Sequence, residues 1–246
     1  VARADVLAVA SPTTEHVRRF AQERGIPHWF TDYQQILEMP EVELVVLGLP
    51  NDLHRQAVER AAAAGMHVVL EKPMALSLAD CDAMIAACRT AGVKLMYAEE
   101  LCFAPKYVRL KQLVDAGALG TPHLIKQSEK HDGPHSPWFW DVKRSGGGVA
   151  MDMGCHAIEF FRWILSGPDC TARPRATSVY AHLQTRMHRD KTQGDDDAVI
   201  IVEFEGGCTG VCETSWAKPG GMDDRAEVYG DGGVAYADLL RGNSIH

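Results

Sequence analysis

Short apolar segments alternate with helix-like segments in the N-terminal part of the chain, and this alternation limits the possible folds more than any other feature. The clearest apolar segment covers residues 42–49 and ends at the turn Pro50-Asn51-Asp52. Comparable segments lie at 4–10, 66–70 and 93–97, with helical patterns between them. Continuous apolar runs are typical of strands buried on both faces of a parallel sheet. The alternation therefore predicts an α/β fold with a doubly wound, Rossmann-type parallel sheet.

Doubly wound sheets bind their ligands beyond the carboxyl ends of the strands. The polar and turn residues that follow the predicted strands are Ser11, Pro50, Asn51, Glu71, Lys72, Pro73, Glu99 and Glu100. We therefore expect a binding site of the first domain to be built from this set.

The pattern changes after Tyr97. A predicted helix and strand are followed, from residue 176 onward, by a succession of strands and turns, with Gly206-Gly207 as a hairpin turn. Strands in succession predict a separate α+β domain with a mainly antiparallel, open sheet. We place the boundary so that the domains are 1–98 and 99–246.

The glycine-rich stretch 146–156 contains the candidate acid–base residues. If the segment from Val149 is one helix, Asp152 and His156 stand four residues apart on one face. An imidazole titrates near neutral pH, and a carboxylate next to it fixes its tautomer and increases its basicity. The alternative is a helix start with an accidental Asp–His pair, since short motifs are easily matched by chance.

Composition argues against several functional classes. The formal net charge of −8 lacks the basic face that nucleic-acid binding needs. No apolar run approaches the ~20 residues of a membrane span, and no signal peptide is visible. The seven cysteines form no C-x-x-C motif, so we expect reduced thiols in a cytoplasmic protein. The acidic run 195–197 is expected to be a solvated turn.

A series of short motifs extends along the chain. They lie at 50–54 (similar to T-P-N-x-x-H), 63–73 (A-G-K-H-V-x-x-E-K-P), 103–105 (R-F-x-P), 117–120 (G-x-I-G), 146–156 (G-G-G-x-x-x-D-x-G-x-H), 214–216 (S-W) and 229–233 (G-x-x-G). The series resembles the Gfo/Idh/MocA oxidoreductases, a family of NAD(P)-dependent sugar and polyol dehydrogenases, over essentially the whole chain. The combination of E-K-P with D-x-G-x-H is specific, although neither motif is specific alone.

The sequence departs from the family pattern in three places. The family begins with a strand and G-x-G-x-x-G, which seats the dinucleotide pyrophosphate, and this motif occurs nowhere in the sequence. Because residues 1–10 resemble the family's second strand, we expect a front βα unit of roughly 30 residues to be absent. The chain also ends within the second domain. The Asn/Arg-rich segment that precedes R-F-x-P in the family is replaced here by Glu99-Glu100-Leu101-Cys102.

The resemblance implies the catalytic roles. His156 would be the base that removes the hydroxyl proton, and Asp152 would bind substrate and orient that base. Lys72 would polarise the carbinol oxygen, and family members often have a cis bond before the following proline. The alternative to this catalytic role is that Lys72 is simply a solvated lysine at the end of a strand.

The resemblance also implies cofactor contacts. Pro50 and Asn51 would line the nicotinamide end, and Glu71 would shape the turn and touch the nicotinamide ribose. His54 would be either a cofactor neighbour or a helix-start residue. Ser11 stands where NAD enzymes usually have an acidic ribose-binding residue, so NAD and NADP both remain open.

A polar and aromatic loop supplies candidate sugar contacts in addition to Asp152 and His156. They are His131, His135, Trp138 and Trp140, because aromatic faces cover sugar C–H surfaces and histidines bond hydroxyls. A packed loop at a domain or subunit contact is the alternative. The spacing of His131, His135 and Asp152 is not diagnostic of a metal site, and we expect none.

These features predict a nicotinamide-dependent dehydrogenase of a sugar, inositol or sugar derivative. An NAD-dependent glycosidase that oxidises C3 transiently and cleaves by elimination is one alternative. A non-catalytic dinucleotide-binding regulator is another, although the presence of Lys72 and His156 counts against it. An antiparallel sheet with an uncovered face predicts a homodimer or homotetramer.

Overall fold

The computed structural model describes residues 4–170 and 172–241, which form two compact units. The first unit contains the chain up to Leu49 and residues 53–97, and the second contains Pro50–Asp52 and the chain from Ala98 onward. No helix among the described residues has the length and apolarity needed to cross a lipid bilayer.

The first unit alternates strands and helices. Its elements are β1 (Ala8–Ala10), α1 (Thr14–Arg24), β2 (His28–Phe30), α2 (Gln34–Leu37), β3 (Leu44–Leu47), α3 (His54–Ala63), β4 (His67–Glu71), α4 (Leu78–Ala91) and β5 (Leu95–Ala98). Local chemistry sets the helix ends: Ser77 Oγ accepts the Asp80 N–H at the start of α4, and Gly92, with φ of 69°, ends that helix. Only glycine adopts positive φ without steric cost.

The strands form two sheets, β2–β1 and β3–β4–β5, and both β1–β2 and β3–β4 are parallel. In the doubly wound order 3-2-1-4-5-6, the first strand lies between the second and the fourth. The sheet β2–β1 corresponds to strands 3-2 of that order, and the sheet β3–β4–β5 corresponds to strands 4-5-6. The strand that would join them is not among the described residues. The predicted Rossmann-type parallel fold is thus confirmed, although β1 is shorter than the predicted strand at 4–10.

The core of the first unit lies between β3–β4 and the helices α3 and α4. Val45 and Leu47 of β3 and Val68 and Leu70 of β4 pack with small residues of α3, which begins directly after the turn at the end of β3. This arrangement places the turn residues after β3 and β4 at the carboxyl edge of the sheet.

The second unit is a six-stranded sheet with helices. Its elements are α5 (Pro105–Asp115), β6 (Pro122–Lys130), α6 (Val142–Ser145), α7 (Val149–Asp152), α8 (Gly154–Leu165), β7 (Ala176–Gln184), β8 (Asp197–Phe204), β9 (Thr209–Ser215), β10 (Asp223–Gly230) and β11 (Val234–Asp238). The strand order is β11-β10-β6-β9-β8-β7. Among the described strand pairs of this six-stranded sheet, β6–β9 is parallel and the other four are antiparallel, so the predicted mainly antiparallel sheet is confirmed.

The predicted hairpin at Gly206-Gly207 joins β8 to β9, and both glycines have positive φ. One face of the sheet is covered by α8, whose Phe160, Phe161 and Ile164 are fully buried in the core with α5. This packing fixes the start of α8, where the candidate acid–base residues lie.

The segment from Val149 is not one helix, so the condition under which Asp152 and His156 would share a helix face is not met. Asp152 ends α7 and His156 lies in the first turn of α8. The interruption is at Met153, whose φ of −109° departs from the helical value of about −63°. Met153 is buried in a cluster with Val149, Ala198 and Trp216 rather than in the core under α8, so the two helices follow different packing surfaces.

Candidate active site

His156 forms a close pair with an acidic residue from a distant part of the sequence. Its Nδ1 lies 2.6 Å from Oε1 of Glu99, and the residues are 2% and 5% exposed. Glu99 follows β5 at the start of a 3₁₀ turn. The sequence places Glu99 after a strand, but nothing in its spacing assigns it to His156.

The pair determines which imidazole nitrogen is available. A neutral imidazole donates from one nitrogen and accepts at the other. When Nδ1–H donates to Glu99, Nε2 keeps its lone pair. Oε1 of Glu100 lies 3.8 Å from this Nε2, and the Glu100 side chain is 59% exposed. The buried side of the ring is thus held by a carboxylate, and the other nitrogen faces an exposed acidic residue.

Asp152 is buried at the end of α7, where its Oδ2 accepts a hydrogen bond of 3.3 Å from Nε1 of Trp216. The start of α7 is held by Asp195: its side chain accepts the Ala150 N–H, and its backbone carbonyl accepts the Val149 N–H. The position of Asp152 therefore depends on contacts at both ends of this short helix.

Gly148 allows this arrangement because of its missing side chain. A Cβ at position 148 would lie 1.9 Å from the carbonyl oxygen of Asp195. At the start of α7, the close neighbour of Gly148 is therefore the backbone of Asp195.

The expectation of a solvated turn at 195–197 is wrong. Asp196 is 0% exposed and its carboxylate accepts hydrogen bonds from the backbone N–H groups of Arg186, Met187 and His188. Burial alone would raise the pKa of Asp196, but these donors and the His188 ring lower it below its usual value. The acidic run serves as a buried anchor for the segment that joins β7 to β8.

The candidate sugar-binding loop divides into separate contacts. Trp140 packs edge-on against Trp216, with ring centroids 5.3 Å apart, so it is connected to Asp152 through that indole. Trp138 stacks on Phe139 instead, at 3.7 Å. Nδ1 of His131 accepts the Gly133 N–H at 2.9 Å, and His135 is exposed.

In the first unit, Glu71, Lys72 and Pro73 follow β4, and the Lys72–Pro73 peptide is cis, as the resemblance implies. Oε2 of Glu71 accepts the backbone N–H of Lys72 at 3.1 Å. Glu71 and Lys72 are half-buried. The carboxylate of Glu71 thus shapes the turn that carries Lys72.

His54 supports this same turn. It is completely buried, and its Nδ1 lies 3.1 Å from the carbonyl oxygen of Pro73 and 3.2 Å from that of Met74. Its Nε2 lies 2.9 Å from the carbonyl oxygen of Leu49 at the end of the β3 segment. His54 therefore ties two strand ends together through the backbone.

The remaining predicted cofactor contacts lie at two other strand ends. Ser11 follows β1, with its hydroxyl 3.4 Å from Nδ1 of His16. Pro50 is half-buried, and Asn51, which belongs to the second unit, donates from Nδ2 to the carbonyl oxygen of Ser145 at 2.8 Å. Asn51 thereby contacts the residue directly before the three glycines.

One group of described residues offers ligand atoms close enough for a metal ion. Atoms of Glu99, Cys155 and His156 all lie within 4.8 Å of one another. The 2.6 Å separation of His156 Nδ1 and Glu99 Oε1 is that of a hydrogen bond. A zinc ion binds nitrogen and oxygen at about 2.0–2.2 Å in tetrahedral geometry, which separates the two ligand atoms by more than 3 Å. The geometry therefore favours a hydrogen-bonded acid–base pair.

Comparison with known proteins agrees with these features. Residues 1–99 match the profile of the oxidoreductase family with an NAD-binding Rossmann fold, and residues 107–236 match the GFO/IDH/MocA C-terminal domain. An uncharacterized oxidoreductase of Bacillus subtilis, YrbE, is 31% identical over 98% of this chain and 68% of its own length. The scyllo-inositol 2-dehydrogenase (NAD(+)) of the same organism is 30% identical over 97% of this chain and 67% of its own length.

Among solved structures, GenD2 from gentamicin A biosynthesis in complex with NAD superimposes with a TM-score of 0.88 and 33% identity. That match covers 97% of this chain and 66% of GenD2. The chain thus spans about two thirds of the length of these relatives. From its matched domains, its fold and its motifs, the chain belongs to the Gfo/Idh/MocA family of oxidoreductases.

Proposed function

We propose that the protein is an NAD(P)-dependent dehydrogenase that oxidises a secondary hydroxyl group of a sugar, an inositol or a sugar derivative. The observation that carries this proposal is the buried His156–Glu99 pair, which leaves Nε2 of the imidazole as a base. A base in hydrogen-bond reach of the hydroxyl is what alcohol oxidation requires.

His156 acts as the acid–base residue in this proposal, with Asp152 and Lys72. Oxidation moves the hydroxyl proton to Nε2 of His156 while the carbon-bound hydrogen leaves as hydride. Asp152, fixed by the indole of Trp216, binds a substrate hydroxyl. The ammonium of Lys72 stabilises the negative charge that develops on the substrate oxygen.

The residues of the first unit fit the riboses of a dinucleotide, with Glu71 toward the nicotinamide ribose and Ser11 toward the ribose that carries the 2′-phosphate in NADP. Ser11 and Glu71 present polar side chains after β1 and β4, the edge at which such sheets bind nucleotides. When bound, the nicotinamide ring accepts the hydride. His54 has both ring nitrogens at backbone carbonyls, so we assign it to holding the Lys72 turn. Pro50 and Asn51 are assigned to the nicotinamide end.

The substrate class is inferred from related proteins and from the aromatic residues. The relatives include the scyllo-inositol 2-dehydrogenase and a D-apiose dehydrogenase of Paraburkholderia graminis, 30% identical over 87% of this chain. Trp140, His131, His135 and Trp138 are the proposed sugar contacts of this chain. The face of Trp140 is suited to C–H surfaces of a ring substrate.

A screen of polyols and sugars with the full gene product tests the proposal. NAD and NADP are supplied in parallel, and formation of the reduced cofactor is followed by absorbance. We expect reduction with at least one inositol or aldose, and loss of it in His156→Asn. Cleavage of a glycoside without net release of reduced cofactor would contradict the dehydrogenase proposal and support the glycosidase alternative.

We also propose that the protein is a homodimer or homotetramer formed through the sheet of the second unit. The edge strand β7 is exposed from Ala176 to Leu183, and its neighbours Val179 and Tyr180, which point to opposite faces, are each 62% accessible. Exposed apolar groups of this kind are normally covered in soluble oligomers. Sedimentation of wild type and Val179→Asp tests this, and a monomeric wild type would contradict it.

A further inference from the structure

Glu99 is a buried acidic residue that the sequence places at a strand end without assigning it a partner or a catalytic role. One oxygen lies 2.6 Å from His156, and the other, Oε2, is buried without a hydrogen-bond partner among the described residues. Removing a carboxylate from water costs several kcal/mol unless a charge or donors compensate it. The imidazole is the compensating group at Oε1, so the carboxylate is matched to a ring that becomes positively charged.

We propose that Glu99 is a positioning residue that holds the Nδ1–H of His156 and stabilises the imidazolium formed when Nε2 takes the substrate proton. This inference rests on the proposed dehydrogenase function. In the step concerned, the hydroxyl O–H bond breaks and an Nε2–H bond forms. The electron pair of the O–H bond becomes the second bond of the new carbonyl, and the hydrogen of the adjacent C–H bond leaves with its electron pair as hydride, which a bound nicotinamide would accept. Glu99 itself gains and loses no proton.

The hydrogen bond at Nδ1 selects Glu99 over the other acidic residues near His156. Asp152, the partner expected from the sequence, accepts from Trp216 at Oδ2, and it belongs to a different helix. Glu100 lies at the opposite nitrogen, 3.8 Å from Nε2. Glu99 is thus placed to fix the tautomer without occupying the nitrogen that reacts.

Other titratable groups in the second unit also face His156. They are Glu100 from the 3₁₀ turn, Cys155 from α8 and Asp224 from β10. Burial raises the pKa of Asp224 to about 6, while the hydroxyl of Tyr107 and the charge of His156 lower it. Glu99, in contrast, accepts the hydrogen bond from Nδ1 of His156.

Glu99→Gln and Glu99→Asp separate the charge from the shape of this side chain. In Glu99→Gln we expect kcat to fall at least about tenfold with KM changed less than about threefold, because the lost contact acts on proton transfer. Loss of the negative charge disfavours the imidazolium, so the ascending limb of kcat against pH shifts to lower pH by about one unit. Glu99→Asp keeps the charge and keeps the limb close to wild type.

Glu213→Gln is the matched control, because Glu213 lies in the same unit, is paired to Lys130 and is half-exposed. We expect it to leave kcat and the pH profile unchanged. A Glu99→Gln enzyme with wild-type kcat and a wild-type ascending limb would overturn the assignment.

Nuclear magnetic resonance of the ¹⁵N-labelled protein tests the pair without any turnover. His156→Gln identifies the His156 signals among the eleven histidines. At a pH on the plateau above the ascending limb, where the ring is neutral, we expect the proton on Nδ1 and not on Nε2 in wild type, with this preference weakened in Glu99→Gln. The opposite tautomer in wild type would refute the inference, even if Glu99→Gln did not fold. If no polyol is oxidised, the proposed function fails, and this measurement still decides the role of Glu99.

Discussion

Nε1 of Trp216 lies 3.3 Å from Oδ2 of Asp152, and both side chains are buried. The two residues are 64 positions apart in the sequence. The indole also packs against Trp140, so one aromatic ring connects the carboxylate to the proposed sugar contacts. A change at Trp216 therefore affects the candidate site without removing any group that reacts.

For Trp216→Phe, we expect a loss of about 1–3 kcal/mol in unfolding free energy, because a buried carboxylate loses a donor and a small space opens beside it. We also expect a several-fold rise in KM as Asp152 becomes less firmly held. Urea unfolding and steady-state kinetics measure the two effects. Trp29→Phe is the control, since Trp29 is an exposed tryptophan of the first unit to which no contact in the site is assigned. Equal effects of both substitutions would contradict this role for Trp216.

Gly148→Ala should destabilise the protein by about 3 kcal/mol or more, because the new Cβ would lie 1.9 Å from the carbonyl oxygen of Asp195. Gly154→Ala is the matched substitution, since its nearest neighbours would be side-chain atoms of Ile200, Thr214 and Ala150 at ordinary contact distances. We expect Gly154→Ala to be neutral or slightly stabilising. Thermal unfolding compares the two, and a Gly148→Ala protein as stable as wild type would show that the helix start can move away from Asp195.

The buried carboxyl of Asp224 should make stability depend on pH. Burial raises its pKa from 3.8 to about 6, so the folded protein binds this proton more tightly than the unfolded chain. The resulting stability is present below about pH 4 and is lost as pH rises through about 6. Asp224→Asn removes this dependence while keeping an oxygen to accept the Tyr107 hydroxyl hydrogen bond.

Relative to wild type, Asp224→Asn should therefore gain up to about 3 kcal/mol of unfolding free energy between pH 4 and pH 7. Denaturant unfolding at several pH values measures the difference. Asp223→Asn is the control, because Asp223 is the neighbouring, more exposed acidic residue. Parallel stability curves for wild type and Asp224→Asn would contradict the raised pKa of Asp224.

His54→Ala should cost about 3 kcal/mol of unfolding free energy, because it leaves a cavity and removes the partners of buried backbone carbonyls. Since one of those carbonyls belongs to Pro73, next to Lys72, kcat should also fall. His28→Ala, an exposed substitution in the same unit, should change neither quantity. A His54→Ala protein that loses cofactor affinity at unchanged stability would instead place His54 at the cofactor.

The order of strands and helices was readable from the sequence because hydrophobic periodicity and turn residues act locally. The apolar segments, the stop at Gly92 and the hairpin at Gly206-Gly207 all appear in the structure. The motifs around Lys72 and His156 identify the family for the same reason, since each motif is a short local pattern.

The tertiary structure alone decided the polar partners. The pairing of His156 with Glu99 joins residues 57 positions apart, and the burial of Asp196 depends on a loop that folds over it. The interruption between α7 and α8 falls at Met153, which is buried in the cluster that contains Trp216. Local patterns report which face of an element is apolar, whereas the partner of a buried polar group is set by which elements pack together. The sequence by itself therefore determined the family, the order of elements and the candidate base, and the packing decided which carboxylate holds that base.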